Sequence, residues 1–240
     1  MLPVLHIGPL ALPSAPLALL LGVWAGAWLA ERAAPRGQAE AVSTLAMLML
    51  AAGLVCARLG YAARFLAIYA ADPLSLLSPN PASLDLWAGL AGAALGGLAY
   101  GWRRGLRLWP TLDALAPGLA LLAVAVGLAH LASGDAFGAP ANLPWSIWLW
   151  EAWRHPTQLY ELIAAGLVLV VWRLARGRSP FDGFGFLLVL ALTAAARLLL
   201  EGFRGDSWLV LGGLRGAQLV ALALLLAALA LLRQRALADG

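Results

Sequence analysis

The chain contains no lysine: all 16 of its cationic side chains are arginine, set against 12 carboxylates in 240 residues. Charge of either sign is scarce, at 12% of residues. Soluble domains carry about 25%, so an ordinary water-soluble globule is excluded. One cysteine, Cys56, rules out an internal disulfide, and its place inside an apolar run reads as that of a small packing residue. The three histidines, His6, His130 and His155, are too scattered to suggest a metal site. The chain also lacks a Walker loop, a dinucleotide glycine fingerprint, Cys or His pairs at metal spacing and a GxSxG elbow. These absences speak against an ATP-driven machine and a metalloprotease, and neither metal nor cofactor is expected.

What remains is apolar. Hydrophobic residues make up 62% of the chain and the mean hydropathy is +0.85. Windows of about 20 apolar residues, the length needed to cross a bilayer as a helix, recur along its whole length. The reading is an all-α polytopic membrane protein, one domain over residues 1–240, with seven spans near 14–31, 42–71, 84–102, 110–133, 156–176, 183–204 and 209–232. The N-terminus has no basic region ahead of an apolar stretch and no clear cleavage site, and is read as retained.

Ten of the arginines sit in ERAAPRGQAE, WRRGLR, RLARGR and the tail RQR, all on one side of a seven-span arrangement. Arginine-rich loops stay in the cytoplasm, so the N-terminus is expected outside and the C-terminus cytoplasmic. The pI near 10.0 therefore says little about nucleic acid, since the placement of the arginines in loops matters more, and no nucleic-acid partner is expected. An odd number of spans without an internal repeat does not suit a repeat-built solute carrier.

Two outer segments stand out, near 72–84 and 134–155. The first, DPLSLLSPNPASLD, suits a turn or half-inserted loop. The second contains Trp145, Trp148, Trp150 and Trp153. These form an interfacial aromatic belt, or an amphipathic cover over a lipid or peptide entrance. Of the six remaining arginines, Arg64, Arg154 and Arg215 can reach the outer headgroups, whereas Arg58 and Arg197 lie deeper and point to function.

Two polar stripes carry the chemistry. In TAAARLLLEGFRGD, Arg197, Glu201 and Arg204 recur at i, i+4 and i+7, leaving one cation in excess of the carboxylate. Such a stripe suits an anionic headgroup, because guanidinium matches phosphate oxygens, or it pins the helix by ion pairing. RHPTQLYE opens the fifth span and places Arg154, Gln158 and Glu161 at the same spacing, with His155 beside them. Two such stripes facing one another would line a polar cavity at outer-leaflet depth.

At these residues the chain resembles the prolipoprotein diacylglyceryl transferase family. RHPTQLYE is similar to that family's RHPSQLYE-type motif and ARLLLEGFR to its R-x-x-x-E-F-F-R segment. Partial matches at ARLGY, YAADPL, WAGLAG, DALAP, NLPW and GAQL extend the likeness over nearly the whole chain. The resemblance implies seven spans and transfer of a diacylglyceryl group from phosphatidylglycerol to the lipobox cysteine of an exported lipoprotein precursor in the bacterial inner membrane. It also implies roles: Arg197 as the essential arginine of the sixth span, with Glu201 and Arg204 beside it, and Arg58 as a second headgroup arginine. His155 follows as base or orienting group, and Arg154, Gln158, Tyr160 and Glu161 as substrate-lining residues.

The chain departs from the family pattern in three places. The signature G-R-x-G-N-F-x-N-G-E aligns with VGLAHLASGD at 126–135, so its arginine becomes Gly127, its asparagines His130 and Ser133, and its glutamate Asp135. The H-G-G segment falls on Trp87, Ala88 and Gly89, and a first-span tyrosine on Ala15. Arg58, Arg64 or Arg204 would have to supply the missing cation, and His130 or His155 the missing histidine. The alternative is a diverged paralogue that keeps the fold and lipid cavity but serves another substrate or acts as a membrane binding partner.

Overall fold

Long apolar segments form helices because a helix satisfies every backbone N–H and C=O within the segment itself. The computed structural model describes residues 4–8, 10–78, 80, 83–210 and 212–238. It is 73% helical. In chain order the elements are β1 (Val4–Ile7), β2 (Leu10–Pro13), α1 (Ser14–Ala33), α2 (Ala39–Arg64), α3 (Leu66–Ala71), α4 (Leu86–Arg103) and α5 (Leu108–Ser133). They continue with β3 (Ile147–Leu149), β4 (Ala152–Arg154), α6 (Thr157–Ala175), α7 (Phe184–Leu200), β5 (Leu209–Val210), β6 (Leu214–Arg215) and α8 (Gly216–Ala238). The strands pair as three two-stranded antiparallel hairpins.

Among the described residues, six helices are long and apolar enough to cross a membrane: α1, α2, α5, α6, α7 extended to Phe203, and α8. The expected span 84–102 corresponds to α4, whose five glycines, two tryptophans and Tyr100 lower its apolar character. Two boundaries differ from expectation. The span placed at 42–71 breaks at Phe65, and α3 follows as a separate short helix. The last helix starts at Gly216 rather than near 209, because Gly212 and Gly213 turn the chain at positive φ between β5 and β6. Residues 1–3 and 9, part of the N-terminal segment read as retained, lie outside the described residues, as do 79, 81 and 82 of the first outer segment.

The chain divides into two compact units, residues 34–111 and residues 1–33 with 112–240. In the first, α2 and α4 pack through small residues, the mode that lets apolar helices approach closely in lipid. A Cβ on Gly53 would stand 3.1 Å from the Gly89 carbonyl, and one on Gly96 would stand 2.9 Å from Ala52 Cβ. Cys56 packs against Gly92, as expected of a small filler. Asp85 caps α4 by accepting the Ala88 N–H at 2.8 Å and holds Arg64 at 2.6 Å.

In the second unit, α1 meets α5 at Gly26, where an added Cβ would stand 3.0 Å from the Gly118 carbonyl. Ala116, Ala120, Val168, Trp172 and Val189 form the core where α5, α6 and α7 meet. The Asp113 carboxylate on α5 takes the N–H groups of Gly183 at 2.6 Å and Phe186 at 2.9 Å. Those are orphan donors of the α7 N-terminus, so one half-buried side chain locks α7 against α5.

Candidate functional site

Glu161 lies one turn inside α6, past the Pro156 that sets the helix start. Its Oε1 accepts from Arg197 Nη1 at 2.9 Å and from Arg204 Nη1 at 2.6 Å, and its Oε2 lies 3.0 Å from His130 Nδ1. Arg197 reaches Glu201 Oε2 with its other nitrogen at 2.8 Å, an ion contact not aligned as a hydrogen bond. Arg204 forms a fork with Asp206 at 2.9 and 2.7 Å. Burial opposes charge on Arg204, but its bonds to Asp206 and Glu161 prevail and hold its pKa above the ordinary arginine value.

The two expected stripes thus join through a direct ion cluster. Glu201 is 1% exposed, Arg204 11% and Glu161 15%, while Arg197 at 37% is the most accessible arginine of the group. The expected surplus of one cation is not present. Glu161 and Asp206 add two carboxylates to the stripe, and Arg215 adds one guanidinium, which bonds the carbonyls of Glu201 and Arg204 and the Ser207 hydroxyl. Arg215 therefore holds together the turn that follows α7 instead of reaching outward.

A small sheet-like core aligns these groups. Ala139 donates its N–H to the Phe203 carbonyl at 2.8 Å and accepts from the His155 N–H at 3.1 Å, so residues 137–141 lie between the turn after α7 and strand β4. Gly138 is essential to that approach, since a Cβ there would run into the His155 backbone. Thr157 and Gln158, both fully buried, donate to the Ala136 carbonyl at 2.6 Å and the Asp135 carbonyl at 3.0 Å.

Arg154 is not on the helical stripe with Gln158 and Glu161, because α6 begins only at Thr157. It ends β4, and its guanidinium donates to the carbonyls of Leu149 at 2.9 Å, Gly138 at 3.2 Å and Trp150 at 3.4 Å. His155 stacks edge to face with Tyr160 and Phe203, and its Nδ1 is buried without a hydrogen-bond partner. Tyr160 accepts from Trp145 Nε1 at 2.8 Å. The hairpin turn at Trp150 and Glu151 has φ of 51° and 59°, and Trp145, Trp148, Trp150 and Trp153 are exposed.

Arg58 belongs to the other unit. There it donates to the carbonyls of Leu76 at 2.8 Å, Ser75 at 2.5 Å and Ser83 at 3.1 Å, and to the Ser83 hydroxyl, so that it holds the outer segment after α3. Of the residues expected from the sequence, Glu161, Arg197, Glu201 and Arg204 are brought together. His130, expected only as a candidate for the missing histidine, joins them, as do Asp206 and Phe203, which had been assigned no part. A signal existed for His130 alone, as the histidine standing where the family signature has asparagine.

A sequence model of the prolipoprotein diacylglyceryl transferases matches residues 3–233. The chain belongs to that family. It is 33% identical to a phosphatidylglycerol–prolipoprotein diacylglyceryl transferase of Gloeobacter violaceus, over 92% of this chain and 87% of that protein. A protein of the same description from Nostoc sp. is 31% identical over 99% of this chain and 92% of its own length. A third, from Clostridioides difficile, is 30% identical over 75% of this chain and 73% of its own. The diacylglyceryl transferases are enzymes of lipoprotein biosynthesis, and the apolar helices of this member suit a membrane enzyme. Its departure at Gly127 has a structural counterpart: a Cβ there would lie 3.1 Å from Leu162 Cα and 3.2 Å from Leu162 N, so α5 and α6 touch where the family pattern has arginine.

A cleft of about 170 Å³ lies between Ala33, Asp113, Trp172, Arg176, Ser179 and Phe184. From Glu161 to Trp172 is about 16 Å along α6 at 1.5 Å per residue, so this cleft is at the far end of the helices from the ion cluster.

Proposed function

We propose that this chain transfers a diacylglyceryl group from phosphatidylglycerol, or a similar anionic phospholipid, to the cysteine thiol of an exported lipoprotein precursor. It does so in the bacterial inner membrane as one domain over residues 1–240, with α4 as the seventh span, the N-terminus outside and the C-terminus cytoplasmic. The observation that carries this reading is the cluster of Arg197, Glu161, Arg204 and Glu201 at one end of α6 and α7, in a chain that matches the family over nearly its whole length.

The reaction displaces a phosphate leaving group from a glycerol carbon by sulfur, so the site must take up charge on phosphate oxygens. Arg197 is the group suited to this. It is the most accessible guanidinium of the cluster, and turning from Glu161 to a headgroup would leave Glu161 satisfied by Arg204. Arg204 and Glu201 set its position. The resemblance also implies a headgroup role for Arg58, whose guanidinium binds the carbonyls of Leu76, Ser75 and Ser83 within the other unit. Arg154 and Gln158 line the site by holding its backbone, while His155 and Tyr160 shape an aromatic wall with Phe203. The exposed tryptophans sit at the outer interface of the bilayer.

One observation favours the alternative, a paralogue with another substrate: the cluster carries as many carboxylates as guanidiniums, and a Cβ at Gly127 would already crowd Leu162 at 3.1 Å. Two measurements separate the readings. In a cell depleted of its ordinary transferase, expression of this chain restores lipoprotein maturation. In a purified assay it moves label from phosphatidylglycerol to a lipobox peptide. Protein present in the membrane with neither activity would sink the transferase reading and leave the paralogue.

A further inference from the structure

His130 ends α5, and its Nδ1 faces Glu161 Oε2 at 3.0 Å. The two oxygens of Glu161 divide their work: Oε1 receives Arg197 and Arg204, and Oε2 receives His130 alone. A hydrogen bond from the ring to this carboxylate oxygen uses the Nδ1–H. That fixes the tautomer with Nδ1–H toward Glu161 and leaves the lone pair on Nε2. The side chain is 29% exposed, and among the described residues no protein group takes Nε2. Glu161 from α6 is the charged group in contact with the ring, and ion pairs join it to Arg197 from α7 and Arg204 from the turn beyond, which in turn hold Glu201 and Asp206.

Resting on the transferase reading above, we propose that His130, oriented by Glu161, is the general base that deprotonates the acceptor thiol. A free cysteine has a pKa of about 8.5 and is mostly protonated at neutral pH, while the thiolate is the nucleophile. Nε2 takes the thiol proton as sulfur attacks the glycerol carbon. The C–S bond forms, the C–O bond to phosphate breaks, and glycerol phosphate leaves with the electron pair. Arg197 takes up charge on the phosphate, and the proton on Nε2 passes to the departing phosphate or to water. Glu161 meanwhile stabilises the imidazolium and holds the ring in place, the arrangement of a nucleophile, a base and an orienting carboxylate. His130 stands where the family signature has asparagine, which cannot accept a proton, so this assignment belongs to this chain.

The test uses the purified full-length protein with labelled phosphatidylglycerol and a lipobox peptide, followed from pH 5.5 to 9.5. The wild-type rate is expected to exceed that of the histidine variants most at low and neutral pH, where the thiol is protonated. His130→Asn and His130→Gln are expected to lose about 10²- to 10⁴-fold at pH 7. They should keep the KM for the lipid, and regain rate above about pH 8 as the thiol ionises unaided. Added imidazole should partly restore His130→Ala. Folded variants within threefold of wild type and with its pH profile overturn the assignment and leave the transferase reading intact. Should these variants fail to fold, Glu161→Gln takes their place, and a folded Glu161→Gln with the wild-type rate and pH profile overturns it. A wild type without transfer defeats the transferase reading itself, and this inference with it.

Discussion

Arg204 Nη1 donates to Glu161 Oε1 at 2.6 Å across 43 residues of sequence. This bond ties the turn after α7 to the first turns of α6. It also fixes which guanidinium is committed to the scaffold and which is available: Arg204 is 11% exposed, Arg197 37%.

Glu161→Gln keeps the shape and removes the charge that Arg197, Arg204 and His130 share. Leaving buried donors short of a carboxylate partner costs about 2 kcal/mol here, because Asp206 still holds Arg204. Denaturant unfolding in detergent should read that loss, and transfer should fall about 100-fold or more. Unchanged stability would mean that the cluster is not formed as described.

Arg197→Lys separates charge from geometry. Lysine keeps the cation but lacks the fork that reaches Glu161 and Glu201 together. The expected outcome is a loss of about 10²- to 10³-fold in transfer with folding retained, and a comparable loss in Arg197→Ala. Full activity in the lysine variant would show that a point charge suffices.

Gly127→Arg brings in the arginine of the family signature. Because Leu162 backbone lies 3.1 Å from a Cβ at this position, the substitution should force α5 and α6 apart. A cost of at least about 1–3 kcal/mol and reduced membrane yield are expected. A stable variant with raised transfer would instead mean that the helices part readily and that the site accepts a second phosphate-binding cation.

Gly138→Ala probes the strand alignment. The added methyl meets the backbone of His155, which cannot move without breaking its bond to Ala139. Destabilisation of about 1–3 kcal/mol should accompany faster amide exchange at His155 and Ala139. Exchange rates equal to wild type would argue against the pairing.

Glu151→Gly acts the other way. Glu151 sits at φ 59°, a conformation glycine adopts without strain and other residues at a cost of about 1 kcal/mol or more. The variant should hold or raise stability by up to about 1 kcal/mol, visible as slower exchange across β3 and β4.

The membrane class and most spans were legible because hydropathy is a property of contiguous residues, and α1, α5, α6 and α7 lie close to their expected ranges. The break at Phe65 and the late start of α8 were not, because Gly212, Gly213 and the turn at Phe65 interrupt segments that stay apolar on average. In the site, the spacing of Arg197, Glu201 and Arg204 correctly announced a cluster. It did not announce Glu161 and Asp206 as the carboxylates that balance it. Arg154 and Arg58 illustrate a further limit: both bond mainly to backbone carbonyls, which leave no trace in residue identity.

The sequence by itself determined that this chain is an apolar, helical membrane protein and a member of the diacylglyceryl transferase family, because composition and contiguous motifs are read along one dimension. Only the tertiary structure decided that His130, Glu161, Arg197 and Arg204 meet, with the arginines 36 and 43 residues from Glu161 and the histidine 31. The physical reason is that a buried charge finds its partner through helix packing. Close approach at Gly127 and Gly138 fixed that packing, and it could not be inferred from spacing along any one helix.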